Sequence, residues 1–169
     1  DLWISTFHGF CERLLKQHAL DIGIPNDFKL LNQTDAWLMV RQNFHRFDLN
    51  YYRPAGNPTK FIQAMLEHFS RAKDEGVSPE EYLAHVEELA ADQDATNVGG
   101  TDASEVTRLR ELANAYHTYQ HLLLEQGALD FGDLITYTLK LFRDRPSLLE
   151  KYRKQYQFFM VDEFQDTNH

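Results

Sequence analysis

The chain has 169 residues, 43% apolar and 13% aromatic, which suffices for the core of one domain of ordinary size. No apolar run approaches the roughly 18–20 residues of a membrane span, and no charged–apolar–small leader is present, so a cytoplasmic protein without a membrane partner is expected. The net charge of −9 is local: residues 74–105 hold ten acids and no Lys or Arg, and residues 158–169 hold three more acids, leaving 17 basic against 13 acidic residues elsewhere. That distribution argues against nucleic acid touching 74–105 and is neutral about the rest. One cysteine, Cys11, excludes an internal disulfide, and without a Cys-x-x-Cys pair a structural zinc site is not expected.

In chain order, Asp1–Ile4 is a short strand candidate, and Ser5 or Thr6 can cap the helix that follows. Phe7, Phe10, Cys11, Leu14 and Leu15 recur on one face of that helix, which Gly23 and Pro25 end. Asn32 or Thr34 opens a second helix with Ala36, Met39, Val40, Phe44 and Phe47 inward. Tyr51 to Pro58 reads as a loop in which the Tyr51-Tyr52-Arg53 run is a stacking candidate. Asn57 and Pro58 are placed to start a third helix, and Gly76 to stop it.

Ser78-Pro79-Glu80-Glu81 has the form of a capping box opening a fourth helix. Residues 91–103 lack apolar periodicity and are expected to be a mobile loop. Ser104 then caps the longest helix, about 22 residues or ~33 Å, which Gly127 stops. Asp130 and Asp133 flank Phe131 where a cap and a helix dipole would use them, and two helices follow, separated by Pro146.

The last dozen residues carry the chemistry. Phe158-Phe159-Met160-Val161 is long enough for one strand of a parallel sheet and runs directly into Asp162-Glu163. Ligands of α/β folds sit at such strand ends. There an Asp can hold a hydrated Mg²⁺ and a Glu can orient or deprotonate an attacking water. An acidic surface turn after a core strand is the plainer alternative for the Asp-Glu pair alone.

The longer run VDEFQDTN at 161–168 resembles motif II, the Walker B element, of UvrD/Rep/PcrA-type superfamily 1 DNA helicases. Ser5-Thr6-Phe7-His8-Gly9-Phe10-Cys11 resembles motif Ib of the same family, and Ala128-Leu129-Asp130-Phe131-Gly132-Asp133-Leu134-Ile135 resembles its LDFDDL-type element, with Gly132 where many members carry an acid. The resemblance implies a mainly α fold: a helical subdomain of about six to seven helices, with a short strand at each end belonging to an incomplete RecA-like α/β domain. Residues 1–19 would belong to RecA-like domain 1A, 20–127 to helical subdomain 1B, and 128–169 to the return into 1A.

The resemblance also assigns roles. Asp162 would hold Mg²⁺ of Mg-ATP through water, Glu163 would act as the catalytic base, and Gln165 would sense the γ-phosphate. Thr6, Phe7 and His8 would meet single-stranded DNA. No G-x-x-x-x-G-K-[ST] loop occurs in the 169 residues, so the chain is expected to be a piece of an ATP-dependent 3′-to-5′ helicase. It would be silent and monomeric alone, with neither ATP nor Mg²⁺ held tightly. Its partners would be the remaining helicase domains in cis, single-stranded DNA and single-strand/duplex junctions near the nucleoid. A helicase-nuclease subunit of the AddA or RecB type, and a helical interaction module without enzymatic activity, are the alternatives.

Overall fold

Residues 3–95 and 103–166 are described by a computed structural model, and among them seven α-helices account for most of the chain. Short-range chemistry sets their ends. Helix α1, Phe7–His18, starts where extended Thr6 accepts a hydrogen bond from the Gly9 N–H. A 3₁₀ turn, Ala19–Ile22, carries it to Gly23, whose φ of +78° reverses the chain. Asn32 caps α2, Gln33–Gln42, by accepting from the Asp35 N–H at 2.9 Å.

Helix α3, Ile62–Asp74, closes with the Val77 N–H on the Ala72 carbonyl at 2.8 Å and the Gly76 N–H on the Lys73 carbonyl at 2.9 Å. This paired closure needs the left-handed Gly76. The predicted box opens α4, Pro79–Ala95: Ser78 Oγ accepts from Glu81 N–H at 3.2 Å and Glu81 Oε2 accepts from Ser78 N–H at 2.9 Å. Helix α5, Ala103–Glu125, is the longest; α6, Phe131–Asp144, and α7, Pro146–Gln155, complete the set.

Two strands of two residues each, β1 (Lys29–Leu30) and β2 (Ala128–Leu129), pair in parallel. Lys29 N–H donates to the Gly127 carbonyl at 2.9 Å and Leu31 N–H to the Leu129 carbonyl at 2.8 Å. This clip closes the chain just before α2 and just after α5. Beyond it, α2, α3 and α5 share one apolar core that includes Val40, Ile62, Phe69, Tyr116 and Leu123. On the near side, α1 and α6 pack around Leu15, Ala19, Phe28, Leu134 and Leu141. A smaller cluster of Val86, Val106 and Ala113 fixes α4 on α5. Leu15, Leu123 and Leu134 are fully buried, each stabilising the fold by about 1.5–3 kcal/mol.

The mainly α character matches the expectation, but the strands stand elsewhere. Asp1 and Leu2 lie outside the described residues, Ile4 is unpaired and exposed, and 158–161 form no strand among the described residues. A strand needs a neighbour to satisfy its backbone, and the described chain offers neither segment one. The expected loop at 91–103 shrinks: α4 runs on through Ala95 and α5 begins at Ala103, with 96–102 outside the described residues. A helix without an apolar stripe leaves no periodic signal. Ser104 therefore lies inside α5 rather than capping it. Helix α3 starts at Ile62, not Pro58, because the Asn57 side chain accepts from Thr59 Oγ1 at 3.3 Å and residues 57–61 coil into turns.

Candidate nucleotide and nucleic-acid segments

Thr6, Phe7 and His8 sit together at the start of α1. Thr6 Oγ1 lies 3.1 Å from the Gly9 nitrogen, and a Cβ at Gly9 would approach that oxygen to 3.3 Å, so the glycine leaves the cap its room. Phe7 is 57% exposed, which corrects its assignment to the apolar face. It stands in the first turn of α1, and Cys11, Leu14 and Leu15 carry the burial. His8 is half-buried, its ring edge-on to Phe131 at 5.7 Å. Phe131, the first residue of α6, is itself 48% exposed. The first turns of α1 and α6 thus meet at an exposed aromatic edge.

Behind Phe131 lies a buried charge cluster that sequence reasoning reaches only in part. Asp130 and Asp133 form the expected cap: Asp130 Oδ1 accepts from the Asp133 N–H at 2.9 Å and Asp133 Oδ2 from the Asp130 N–H at 3.1 Å. Lys73, from the last turn of α3, joins them, with Nζ 2.7 Å from Asp130 Oδ2 and 2.7 Å from Asp133 Oδ1. Tyr119 donates to Asp130 at 2.9 Å, and Gln120 Nε2 to Asp133 at 2.9 Å. The Lys73 and Asp133 side chains are each 2% exposed.

Burial pushes the Asp133 carboxyl up, the Lys73 ammonium pulls it down, and the Asp130 charge adds to the rise; the net direction is upward. Burial and the same acids push the Tyr137 hydroxyl up to about 12. Gly132 explains how the lysine reaches in: a Cβ there would lie 2.9 Å from both Cβ and Cδ of Lys73. A glycine in the first turn of a capped helix is the available signal; the lysine, 57 residues away, gives none.

Asp162, Glu163 and Gln165 form the third segment, and no described contact joins it to Thr6–His8. All three are exposed, as are Phe158 (91%), Phe159 (70%) and Met160 (94%) ahead of them. The Glu163 N–H donates to Asp162 Oδ1 at 3.1 Å, and Gln165 Nε2 donates to Glu163 Oε2. Glu163 has φ of +51°, the one left-handed non-glycine among the described residues. Such a residue costs roughly 1–2 kcal/mol relative to the right-handed conformation. Two adjacent exposed carboxylates fit a hard, strongly hydrated cation such as Mg²⁺, which keeps several of its waters and takes one or two protein carboxylates.

The sequence profile of the UvrD/REP helicase N-terminal domain matches residues 1–169, the whole chain. The chain belongs to that family. It is 34% identical to the ATP-dependent DNA helicase PcrA of Bacillus subtilis over 169 residues, and 30% identical to DNA helicase II of Haemophilus influenzae over 169 residues. Staphylococcus aureus PcrA is 32% identical over 167 residues. In each comparison the alignment covers 99% of this chain and 20% of the relative's length. Among the described residues of this family member, no helix is long and apolar enough to cross a membrane.

Proposed function

We propose that this chain is part of an ATP-dependent DNA helicase that moves 3′ to 5′ along single-stranded DNA and opens junctions with duplex. The observation that carries the reading is the exposed apolar run Phe158–Val161 ending in Asp162-Glu163. Four consecutive apolar residues of this exposure call for cover, and a parallel sheet gives it on both faces while placing the carboxylates at the ligand edge. In this reading residues 1–19 and 128–169 contribute to the first RecA-like domain and 20–127 form subdomain 1B. Two apolar clusters, one between α1 and α6 and one among α2, α3 and α5, accord with a division of this kind, with Ile24 and Phe28 joining the first and Ala128 the second.

Asp162 would hold Mg²⁺ of Mg-ATP through water, and Glu163 would take the proton of the attacking water. Gln165, already bonded to Glu163, would tie the state of that carboxylate to the DNA-facing parts of the enzyme. Mg²⁺ supplies charge neutralisation at the phosphates when bound. Thr6, Phe7 and His8, at an exposed helix start with Phe131 beside them, would contact the single strand. The 169 residues contain no phosphate-cradling glycine loop, so alone they should not turn over ATP.

The test is Glu163→Gln in the full-length protein, assayed for DNA-stimulated ATP hydrolysis and for nucleotide binding. Hydrolysis should fall at least ~10²-fold, as for a lost general base, with Mg-ATP binding largely kept. Hydrolysis within a few-fold of the unaltered enzyme would make the pair an acidic turn.

A further inference from the structure

Helices α1 and α7 enclose a small polar cleft that none of the segments above uses. Its volume is about 110 Å³, and no acid stands among the residues that line it. Each helix contributes a cation and, four residues later, an amide: Arg13 and Gln17 from α1, Lys151 and Gln155 from α7. Residues four apart share one helix face, so each pair lines the cleft as a unit. Tyr152 ties the two walls together, its hydroxyl donating to Gln17 Oε1 at 3.3 Å and lying 3.1 Å from His18 Nε2. The Arg13 guanidinium lies 4.4 Å from the centroid of the Trp3 ring, and that ring lies 5.6 Å from the ring of Tyr156.

Arg13 and Lys151 are exposed, and neither is in an ion pair among the described residues. Lys16 and Lys154 on the same two helices each have a carboxylate, Glu12 at 2.6 Å and Glu150 at 3.9 Å. Two like charges brought to one cleft repel, and an anion between them removes that cost. A guanidinium lying against a ring keeps N–H groups at its rim for an acceptor, and it has already lost rotamer freedom that binding would cost. Gln17 accepts from Tyr152 through its carbonyl and keeps its amide N–H groups for a ligand; Gln155 gives one N–H to the Tyr156 hydroxyl and has a second. Pockets for cofactor-sized ligands run to about 300–1,000 Å³, so this cleft admits only a group of a few atoms.

We propose that Arg13, Gln17, Lys151 and Gln155 bind inorganic phosphate as a dianion. Charge decides among oxyanions: two unpaired cations and no acid match a double negative charge, whereas a carboxylate would leave one cation unanswered. Shape agrees, because a planar guanidinium and an ammonium from opposite walls can each take separate oxygens of a tetrahedral anion. Size excludes a nucleotide and leaves the free ion. The bound anion would bridge the two helices. Helix α1 begins with Phe7, next to Thr6, and α7 leads into the run that ends in Asp162-Glu163, so the bridge joins the stems of two segments assigned functional roles above. None of the four ligating residues is one on which the helicase reading rests.

The experiment is a calorimetric titration of inorganic phosphate into the full-length protein, its nucleotide site filled with a non-hydrolysable ATP analogue. It is run at constant ionic strength and about pH 8, where phosphate carries close to two charges. Binding is expected, with sulfate competing and singly charged acetate at least ~10-fold weaker, the effect of one charged hydrogen bond. Arg13→Gln/Lys151→Gln should weaken phosphate at least ~10-fold while the melting temperature without phosphate stays unchanged. Lys16→Gln/Lys154→Gln, which removes as much charge from the same helices, should keep the affinity within about three-fold. Absence of phosphate binding up to concentrations on the order of 10 mM by the unaltered protein overturns the inference. Equal losses in the two double variants overturn it too, by reducing the cleft to a general charge effect. Acetate binding as well as phosphate overturns the dianion assignment without any variant. Displacement of phosphate by DNA, with a matching loss of DNA affinity in Arg13→Gln/Lys151→Gln, overturns it by assigning the cations to nucleic acid.

Discussion

Asp130–Asp133 and Asp162–Glu163 are two close pairs of acids with opposite surroundings. The first pair lies against Lys73, Tyr119 and Gln120, caps α6, and has one member almost wholly buried. The second lies exposed after an exposed apolar run, with a left-handed residue at its centre and only its own neighbours as partners in the described contacts. Carboxylates that are paired and dry hold structure, because any change in their charge is expensive. Carboxylates that are solvated and adjacent remain free to take a metal and a proton. Sequence alone places both pairs at the ends of apolar elements; the partner groups decide what each can do.

The sharpest way to break this contrast is Lys73→Met, which leaves two acids facing each other without a cation. Loss of one member of a buried charge cluster costs about 3–5 kcal/mol. Urea unfolding of the chain should show a fall of that order, and a change under about 1 kcal/mol would mean the cluster is solvated and the contrast false. Gly132→Ala probes the same place from the other side. Its new Cβ meets the Lys73 stem, including Cβ close to the backbone, so a loss of about 1–3 kcal/mol is expected in the same assay.

A smaller effect comes from His68, half-buried on α3 beside Tyr82. Burial and the Arg71 charge hold its imidazole below the usual range. The unfolded chain therefore takes up the proton more readily, so stability is intact at higher pH and declines as pH falls below about 6.5. In His68→Gln that decline should shrink, which unfolding midpoints at about pH 8 and about pH 5.5 would read. Smallest of all is Phe158→Ser within the 169-residue chain, where a 91% exposed ring contributes nothing to the core. A change within about ±0.5 kcal/mol is expected. The same substitution in the full-length protein should cost several times more, if the run is covered there.

Features made by near neighbours are legible in the sequence. The Ser78–Glu81 box, the Asp130–Asp133 cap and the turns at Gly76 and Gly127 each need only a few adjacent residues. The Lys73 cluster is not legible, because its hydrogen bonds cross 57 and 60 residues and a lone lysine in a last helical turn suggests only dipole compensation. The β1–β2 clip is invisible for a related reason: two residues have no period. Phe7 misleads because periodicity says which face a residue shares but not whether a neighbour covers it. For the candidate site, the run of residues from Val161 to Asn168 carries the resemblance on which the proposed roles rest, and the exposure of the segment before it is a finding of the structure alone.

The central claim is that residues 158–161 are a strand completed by the rest of the protein, bringing Asp162 and Glu163 to the edge of a larger sheet. Backbone hydrogen exchange, followed on the 169-residue chain and on the full-length protein, tests it directly. In the short chain the amides of α5 should be protected and those of 158–161 should exchange at close to the free-peptide rate; in the full-length protein 158–161 should become protected to the level of core strands. Unprotected amides at 158–161 in the full-length protein would contradict the account, because a buried strand cannot leave its N–H groups open to water.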